Sequence, residues 1–317
     1  MAGKARSALF VLTGAAALAG AAHAKTFSAN QISFRDITGT VEIVTTSGDE
    51  IDVTIEQGGE YSRVRLIEED GVVVVEGEAL PPTDERDCCN DRIRRDVNLR
   101  DGRELTAGEP VDEAFFRRYP TIRVSMPFEG DAAFENARIR LDMDRLAGAL
   151  SFDGCYVYGE VGDVEEASVG LIHGSRLIMG NVAAALEADL SGDADLMTGD
   201  VEIVDIDIAG PGDVILGDVA GMMDVSIAGS GLVRAERVDA PLTVRIAGSG
   251  GVIAKSGRAD ALRATVDGSG GVYFNGAVRD PELRLYGSSE IHMTSVEGRI
   301  ARFGGGAVYV AGERLED

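Results

Sequence analysis

The sequence contains no tryptophan, three cysteines, three histidines and eight prolines in 317 residues, and aromatic side chains make up only 5% of it. Each scarcity excludes something. Without tryptophan and with few other aromatics, the platforms on which glycan-active sites stack sugar rings are thinly supplied. The cysteines (Cys88, Cys89, Cys155) form no Cys-x2-Cys pair and no histidine cluster accompanies them, which argues against a zinc site. Basic residues are also short: 30 Lys and Arg face 54 Asp and Glu, a net charge of −24. Nucleic-acid binding needs a basic face, so it is excluded as the main role, and docking to anionic lipid is disfavoured. The one long apolar run, Ala8 to Ala22, is short for a bilayer span.

That run belongs to a leader. Lys4 and Arg6 precede it, and Ala22-His23-Ala24 fits the small-x-small rule for signal-peptide cleavage, so residues 1–24 are expected to be removed and the mature chain to begin at Lys25. Loss of Lys4 and Arg6 takes the 30 basic residues to 28 against 54 acidic ones, a net charge of −26. The protein is therefore expected to be exported to the periplasm or beyond the cell. No span is expected after the leader, and the lack of a terminal apolar segment or aromatic girdle in this sequence leads us to expect no barrel anchor. In an oxidising compartment Cys155 is expected to pair with Cys88 or Cys89, which spacing does not separate; a vicinal Cys88–Cys89 bond is the alternative.

What is abundant is glycine, 41 residues of it, and it is periodic. A short apolar-x-Gly phrase returns nine times: at Phe152–Gly154, Ile172–Gly174, Leu190–Gly192, Ile208–Gly210, Ile227–Gly229, Ile246–Gly248, Val266–Gly268, Leu285–Gly287 and, most degenerate, Arg302–Gly304. The glycines stand 20, 18, 18, 19, 19, 20, 19 and 17 residues apart. Within Val225-x-Ile227-x-Gly229, Val244-x-Ile246-x-Gly248 and Ala264-x-Val266-x-Gly268 the apolar residues lie two apart, which aims them at one face of a strand. Corners such as Gly229-Ser230-Gly231 follow, and then a second alternating strand: Val233-x-Ala235, Val252-x-Ala254, Val272-x-Phe274 and Ile291-x-Met293. A coil of about 19 residues cannot bury its own apolar face, so successive coils must stack. The sequence predicts an all-β parallel β-helix, a β-solenoid of about nine coils and roughly 40 Å in length.

The remaining segments divide around that core. Residues 25–80 alternate as strands (Val41-x-Ile43, Ile51-x-Val53-x-Ile55, Val64-x-Leu66, Val72 to Val75), with hairpin-like turns at Ser47-Gly48-Asp49 and Glu69-Asp70-Gly71. They are expected to form a β-rich cap. Residues 81–118 break the pattern with Pro81-Pro82 and a dense mixture of charges, in which Arg92, Arg94 and Arg95 make the first candidate contact surface. The solenoid is expected over 119–312, with a polar tail at 313–317.

The Ile-x-Gly-Ser-Gly-x-Val unit, clear at Ile227 to Val233, Ile246 to Val252 and Val266 to Val272, resembles the autotransporter-adhesin head domain called the GIN domain and related exported β-solenoid domains whose function is unassigned. The N-terminal strand pattern and Ile122-Arg-Val-Ser-Met126-Pro127 are similar to those relatives as well. The resemblance implies a secreted or periplasmic β-helix with an adhesive or binding role and brings no catalytic residues. The Cys88-Cys89 insertion departs from the pattern.

An enzyme acting on envelope or acidic polysaccharide is the principal rival, because such enzymes also use parallel β-helices. It would need carboxylates on the outer faces of neighbouring coils. The outward positions of the first strand are Asp189, Asp207, Ser226, Arg245, Thr265 and Arg284, so Asp189 and Asp207, with Asp205 close by, are the residues it could use. No residue stands out as catalytic. Ser191-Gly192-Asp193, Gly199-Asp200 and Gly212-Asp213 leave room for a single calcium ion between residues 189 and 213, but the aspartates do not recur as in a calcium roll, and no other cofactor is indicated. His23 leaves with the leader, and His173 and His292 hold different phrase positions, which argues against a shared site. The sequence alone thus favours a non-enzymatic binding or structural scaffold, contacting envelope or extracellular glycan or protein and open to self-association.

Overall fold

The computed structural model describes residues 23–57, 63–77 and 116–316, which form 27 β-strands hydrogen-bonded into one continuous sheet. Two strand stacks run the length of the molecule. The first face holds the strands of the glycine phrase: Ala149–Cys155, Val164–Ile172, Val182–Ser191, Val201–Gly210, then the distal half of Asp213–Gly229, Leu242–Gly248, Leu262–Gly268, Glu282–Gly287 and Ala301–Gly304, each parallel to the next. The second face stacks the strands that follow the corners, from Tyr158–Val161 to Ala307–Val310. This is a parallel β-solenoid of about nine coils with a spacing near 19 residues.

Alternation decides what lies inside. Successive side chains of a strand point to opposite faces, so an in-register parallel stack turns every second residue into an inward column. One such column runs Phe134, Phe152, Val169, Ala188, Ile206, Val225, Val244, Ala264 and Leu283, and every member is buried. The inward residues of the second strand, from Val233 and Ala235 to Ile291 and Met293, are buried as well. Toward the N-terminal end phenylalanines fill the core: Phe34 stacks on Phe134 at 4.6 Å between centroids, and Phe134 meets Phe152 tilted by 33° at 4.8 Å.

Register corrects the phrase at three of its nine occurrences. The corner residue beside Gly192 is His173, and below it Tyr156, because Ile172 pairs with Ser191 and with Cys155. Both carry positive φ (53° and 55°), as Gly192 does (76°), so the corner conformation persists where the glycine is missing. Gly154 instead pairs with Leu171, in an inward column, and Gly304 pairs with Leu285. At the later corners, Gly210, Gly229, Gly248 and Gly268, the glycine is obligatory: Gly248 has φ 135°, and a Cβ there would lie 2.2 Å from the carbonyl oxygen of Gly229.

The N-terminal region is both cap and coil. Gln31–Arg35 and Thr38–Thr46 pair parallel with Asp131–Met143, so the parallel stack reaches back to Gln31 rather than starting near residue 119. The turn at Asp70-Gly71 joins an antiparallel hairpin, Arg65–Glu69 with Val72–Glu76. The turn at Ser47–Asp49 does not. Thr121–Pro127 intervenes, parallel to Thr38–Thr46 and antiparallel to Ile51–Glu56, because its Ile122, Val124 and Met126 extend the same buried column as Val41 and Ile43. His23–Phe27 forms the outermost strand against Ile51–Glu56. Cleavage after Ala24 would remove two of its residues and leave Lys25, Thr26 and Phe27 paired.

Candidate functional site

The same alternation that buries one column exposes the next. On the first face, Glu187, Asp205, Asp224, Thr243 and Arg263 form one outward column. Two residues along, Asp189, Asp207, Ser226, Arg245, Thr265 and Arg284 form another. Asp189 and Asp207 are thus direct neighbours on adjacent coils, about 4.8 Å apart along the stack. An open groove of about 500 Å³ crosses this face, lined by Asp189, Ser191, Asp207, Ser226, Arg245 and Thr265 among others.

Charge is graded along that groove. Asp205 is the focus of the acidic end: partial burial, then the carboxylates of Asp224, Asp207 and Asp189, hold its carboxyl above the ordinary value, against a smaller downward pull from Arg245. Arg245 Nη1 donates to Asp224 Oδ1 at 2.7 Å and marks where the acidic end gives way to hydroxyls and guanidinium groups. Glu187 and Asp224 complete this acidic set. Sequence reasoning passed over them because it followed only the outward position between the two apolar residues of the phrase, not the one two residues earlier.

Two of the three candidate calcium aspartates have protein partners. Asp200 Oδ1 accepts the backbone N–H of Asp218 at 2.8 Å, and Asp213 Oδ2 accepts from Arg234 Nη1 at 3.2 Å. Asp200 belongs to a ladder that the sequence carries as Gly-Asx at positions 162, 180, 199 and 217. Asp163 Oδ1 receives the N–H of Asn181 at 2.7 Å, and Asn181 Oδ1 that of Asp200 at 2.8 Å. Each side chain closes a backbone bond for the next coil. Among the described residues, no three His, Cys, Asp or Glu side chains converge to hold a metal ion.

Arg92, Arg94, Arg95, Cys88 and Cys89 lie outside the described residues. Cys155 is fully buried although it follows the exposed Ser151 and Asp153 at an outward position of its strand. His173 sits at a corner and His292 on the second face, so the structure does not bring them together.

The second face carries a different surface. Its outward column passes from the acidic Asp142 and Glu160 to Ile178, Met197 and Ile215, continues through Arg234 and Ile253, and ends with Tyr273, His292 and Tyr309. Ile178, Met197 and Tyr273 are 39%, 37% and 38% exposed, unusual for large apolar groups on one outward column. The rings stack on one another, Tyr273 on His292 at 4.7 Å and 14°, His292 on Tyr309 at 4.3 Å and 7°. Their facing surfaces are used within the ladder, so it offers edges rather than the open ring face a sugar needs. The signal was present in the residues between the inward positions of the second strand: Arg234, Ile253, Tyr273 and His292.

No protein-family model matches the chain, and no curated protein does. Among solved structures it is similar to a candidate adhesin from Parabacteroides distasonis ATCC 8503, at 13% identity and a TM-score of 0.34, over 92% of this chain and 97% of the other. A candidate lipid-binding protein from the same organism has 13% identity and a TM-score of 0.36 over the same shares. A candidate adhesin from Parabacteroides merdae ATCC 43184 has 12% identity and a TM-score of 0.33, over 92% of this chain and 96% of the other. At such values no role passes from those proteins to this one, and the likeness to the GIN domain rests on the sequence patterns alone.

Proposed function

We propose that this chain is an exported, non-enzymatic binding scaffold that engages an envelope or extracellular glycan or protein through its first face. The observation that carries this is the in-register gradation from carboxylates to hydroxyls and guanidinium groups across an open groove on successive coils. Such a face offers donors and acceptors at a fixed repeat to an extended partner, and its openness leaves a bound bond exposed to water rather than enclosed for chemistry. The signal-peptide pattern of residues 1–24 supports a location outside the cytoplasm. The test is binding of the mature protein to a panel of glycans and envelope fractions, with reaction products assayed in the same wells. Saturable binding weakened by Asp207→Asn and Arg245→Gln, without turnover, is the expected result; no binding to any fraction would defeat it.

A second reading, a polysaccharide-active enzyme, draws support from Asp205. A carboxyl held above its ordinary value beside three other carboxylates is the type of group that can donate a proton to a glycosidic oxygen. Turnover in that assay, abolished by Asp205→Asn with binding retained, would replace the scaffold with this enzyme.

A further inference from the structure

A cavity of about 680 Å³ lies at the corners of the N-terminal coils, bordered by Thr46, Ser47, Phe128, Glu129, Asp144 and Arg145 among others. Register explains why it opens there. Met143 pairs with Val161, so Asp144-Arg145 stack against Gly162-Asp163. Those two residues alone lead from Val161 into Val164, and Asp163 closes its corner on the N–H of Asn181. One coil earlier the chain spends five residues, 144–148, between Met143 and Ala149. Leu146 turns inward and is buried, while Asp144 and Arg145 stay exposed. The space between this longer corner and the ones at Ser47 and Phe128 is the cavity.

Its charged groups are held in place but not matched to one another. Phe128 is fixed from both sides: its N–H donates to the Thr46 carbonyl at 2.9 Å, and its own carbonyl accepts from Ala147 N–H at 2.8 Å. The Arg145 guanidinium lies over its ring, 5.1 Å from the centroid, a contact that leaves the donors along the guanidinium edge free. Among the described residues no carboxylate pairs with Arg145, in a chain whose 54 acidic residues outnumber 30 basic ones. Asp144 Oδ2 accepts the N–H of Thr45 at 3.3 Å, which orients that carboxylate. Its other oxygen and both oxygens of Glu129 have no protein partner among the described residues. Opposite charges thus line one cavity without meeting.

We propose that this cavity binds a short peptide with free termini, its carboxylate on the Arg145 guanidinium and its ammonium at Glu129 and Asp144. The guanidinium fork suits a carboxylate, and ionised partners make the stronger hydrogen bonds. The Ser47 hydroxyl at the wall can meet a backbone amide of the peptide. Three extended residues span roughly 10 Å, which a cavity of this volume accommodates. A uronic acid would satisfy Arg145 but set its hydroxyls and net negative charge against Asp144 and Glu129, so a zwitterion is the better match. The site lies apart from the first-face groove, shares no residue with it and adds a small-ligand function to the scaffold.

Calorimetric titration of the full mature chain with trialanine tests this. Saturable binding is expected, and N-acetyl-trialanine and trialaninamide should each bind at least tenfold more weakly, because each cap removes one of the two charges. Arg145→Gln should weaken trialanine at least tenfold and bind it no better than its amide. Glu129→Gln combined with Asp144→Asn should likewise bind trialanine no better than its acetylated form, a loss of discrimination that a merely structural role would not produce. All three side chains are exposed, and the asparagine keeps an acceptor for Thr45, so circular dichroism should match the parent. No binding of trialanine, capped forms bound as tightly as the free peptide, or glucuronate bound more tightly than trialanine would each overturn the proposal. None of these outcomes bears on whether the first face binds glycan or protein.

Discussion

Arg245 reaches back one coil and two residues along the strand to hold Asp224, Nη1 to Oδ1 at 2.7 Å. The pair is largely exposed, so its own contribution to stability is small, about 1 kcal/mol or less. Its effect is electrostatic: it sets one guanidinium at the boundary of a patch in which Asp189, Asp205, Asp207 and Asp224 crowd together.

The crowding predicts a pH dependence with a definite sign. The carboxyl of Asp205 is raised above its ordinary value of 3.8, so it holds its proton more tightly in the folded chain than in the unfolded one. The stability this confers is complete below about pH 3.8 and is lost as pH rises through the raised value. Asp205→Asn should therefore be more stable than the parent at pH 7, by a few tenths of a kcal/mol given solvent screening, and equal to it near pH 3. Thermal melts at both pH values check this, and added salt should shrink the difference. A variant less stable than the parent at pH 7 would contradict the assigned cause.

Corner geometry predicts unequal costs for one substitution at two glycines. Gly248→Ala sets a Cβ 2.2 Å from the Gly229 carbonyl oxygen at φ 135°, whereas a methyl group added at Gly71, at φ 84°, meets nothing within 4 Å. About 3 kcal/mol is expected at Gly248 and about 1 kcal/mol at Gly71, where only the left-handed backbone is penalised. Urea titrations of the two variants give the comparison. His173→Gly, at a corner that already tolerates a side chain, should change stability by less than about 1 kcal/mol.

These corners also explain how far the sequence could be read. From Leu190 to Gly287 the inward residues, the corner glycines and the 19-residue step recur together, and both strands of each coil lie where alternation puts them. At Tyr156 and His173 the conformation is kept but the residue type is not, so a phrase anchored on glycine slides to Gly154 and Gly174. At Thr121–Pro127 the pairing partner arrives from far along the chain, and no local pattern marks a strand that inserts between Thr38–Thr46 and Ile51–Glu56. On the surface, Asp189 and Asp207 were legible as neighbours because one column was followed from coil to coil. Asp205 is legible only as a sequence neighbour of Asp207, and its column with Glu187 and Asp224 and the apolar column of the second face are not, since outward positions obey no hydrophobic rule and only register aligns them.

The Gly-Asx ladder predicts a stability effect independent of metal. Asp200 takes the N–H of Asp218 and gives its own N–H to Asn181, so an amide side chain performs the same task one coil away. Asp200→Asn should keep the parent's stability and Asp200→Ala should lose about 1 kcal/mol. The melting temperature of the parent should be the same in calcium and in chelator. A calcium-dependent rise lost in Asp200→Asn would instead assign the carboxylate to an ion.

Cys155 supports the last prediction. Its strand alternates exposed Ser151 and Asp153 with buried Leu150 and Phe152, which makes Cys155 an outward position, yet it is 0% exposed. A side chain pointing out of the core and still shielded from water must lie beneath another part of the chain, and a bridge to Cys88 or Cys89 would hold that part in place. Peptide mapping of the oxidised mature protein should recover a fragment joining Cys155 to the Cys88-Cys89 peptide. Cys88→Ser and Cys89→Ser then identify the partner, since only one of them should release the link. Breaking it with Cys155→Ser should cost about 2–4 kcal/mol, the scale for closing a long loop in the unfolded chain, and the cost should disappear when both proteins are compared under reducing conditions. Three free thiols in the oxidised protein, or a Cys88–Cys89 bond beside a free Cys155, would rule the bridge out.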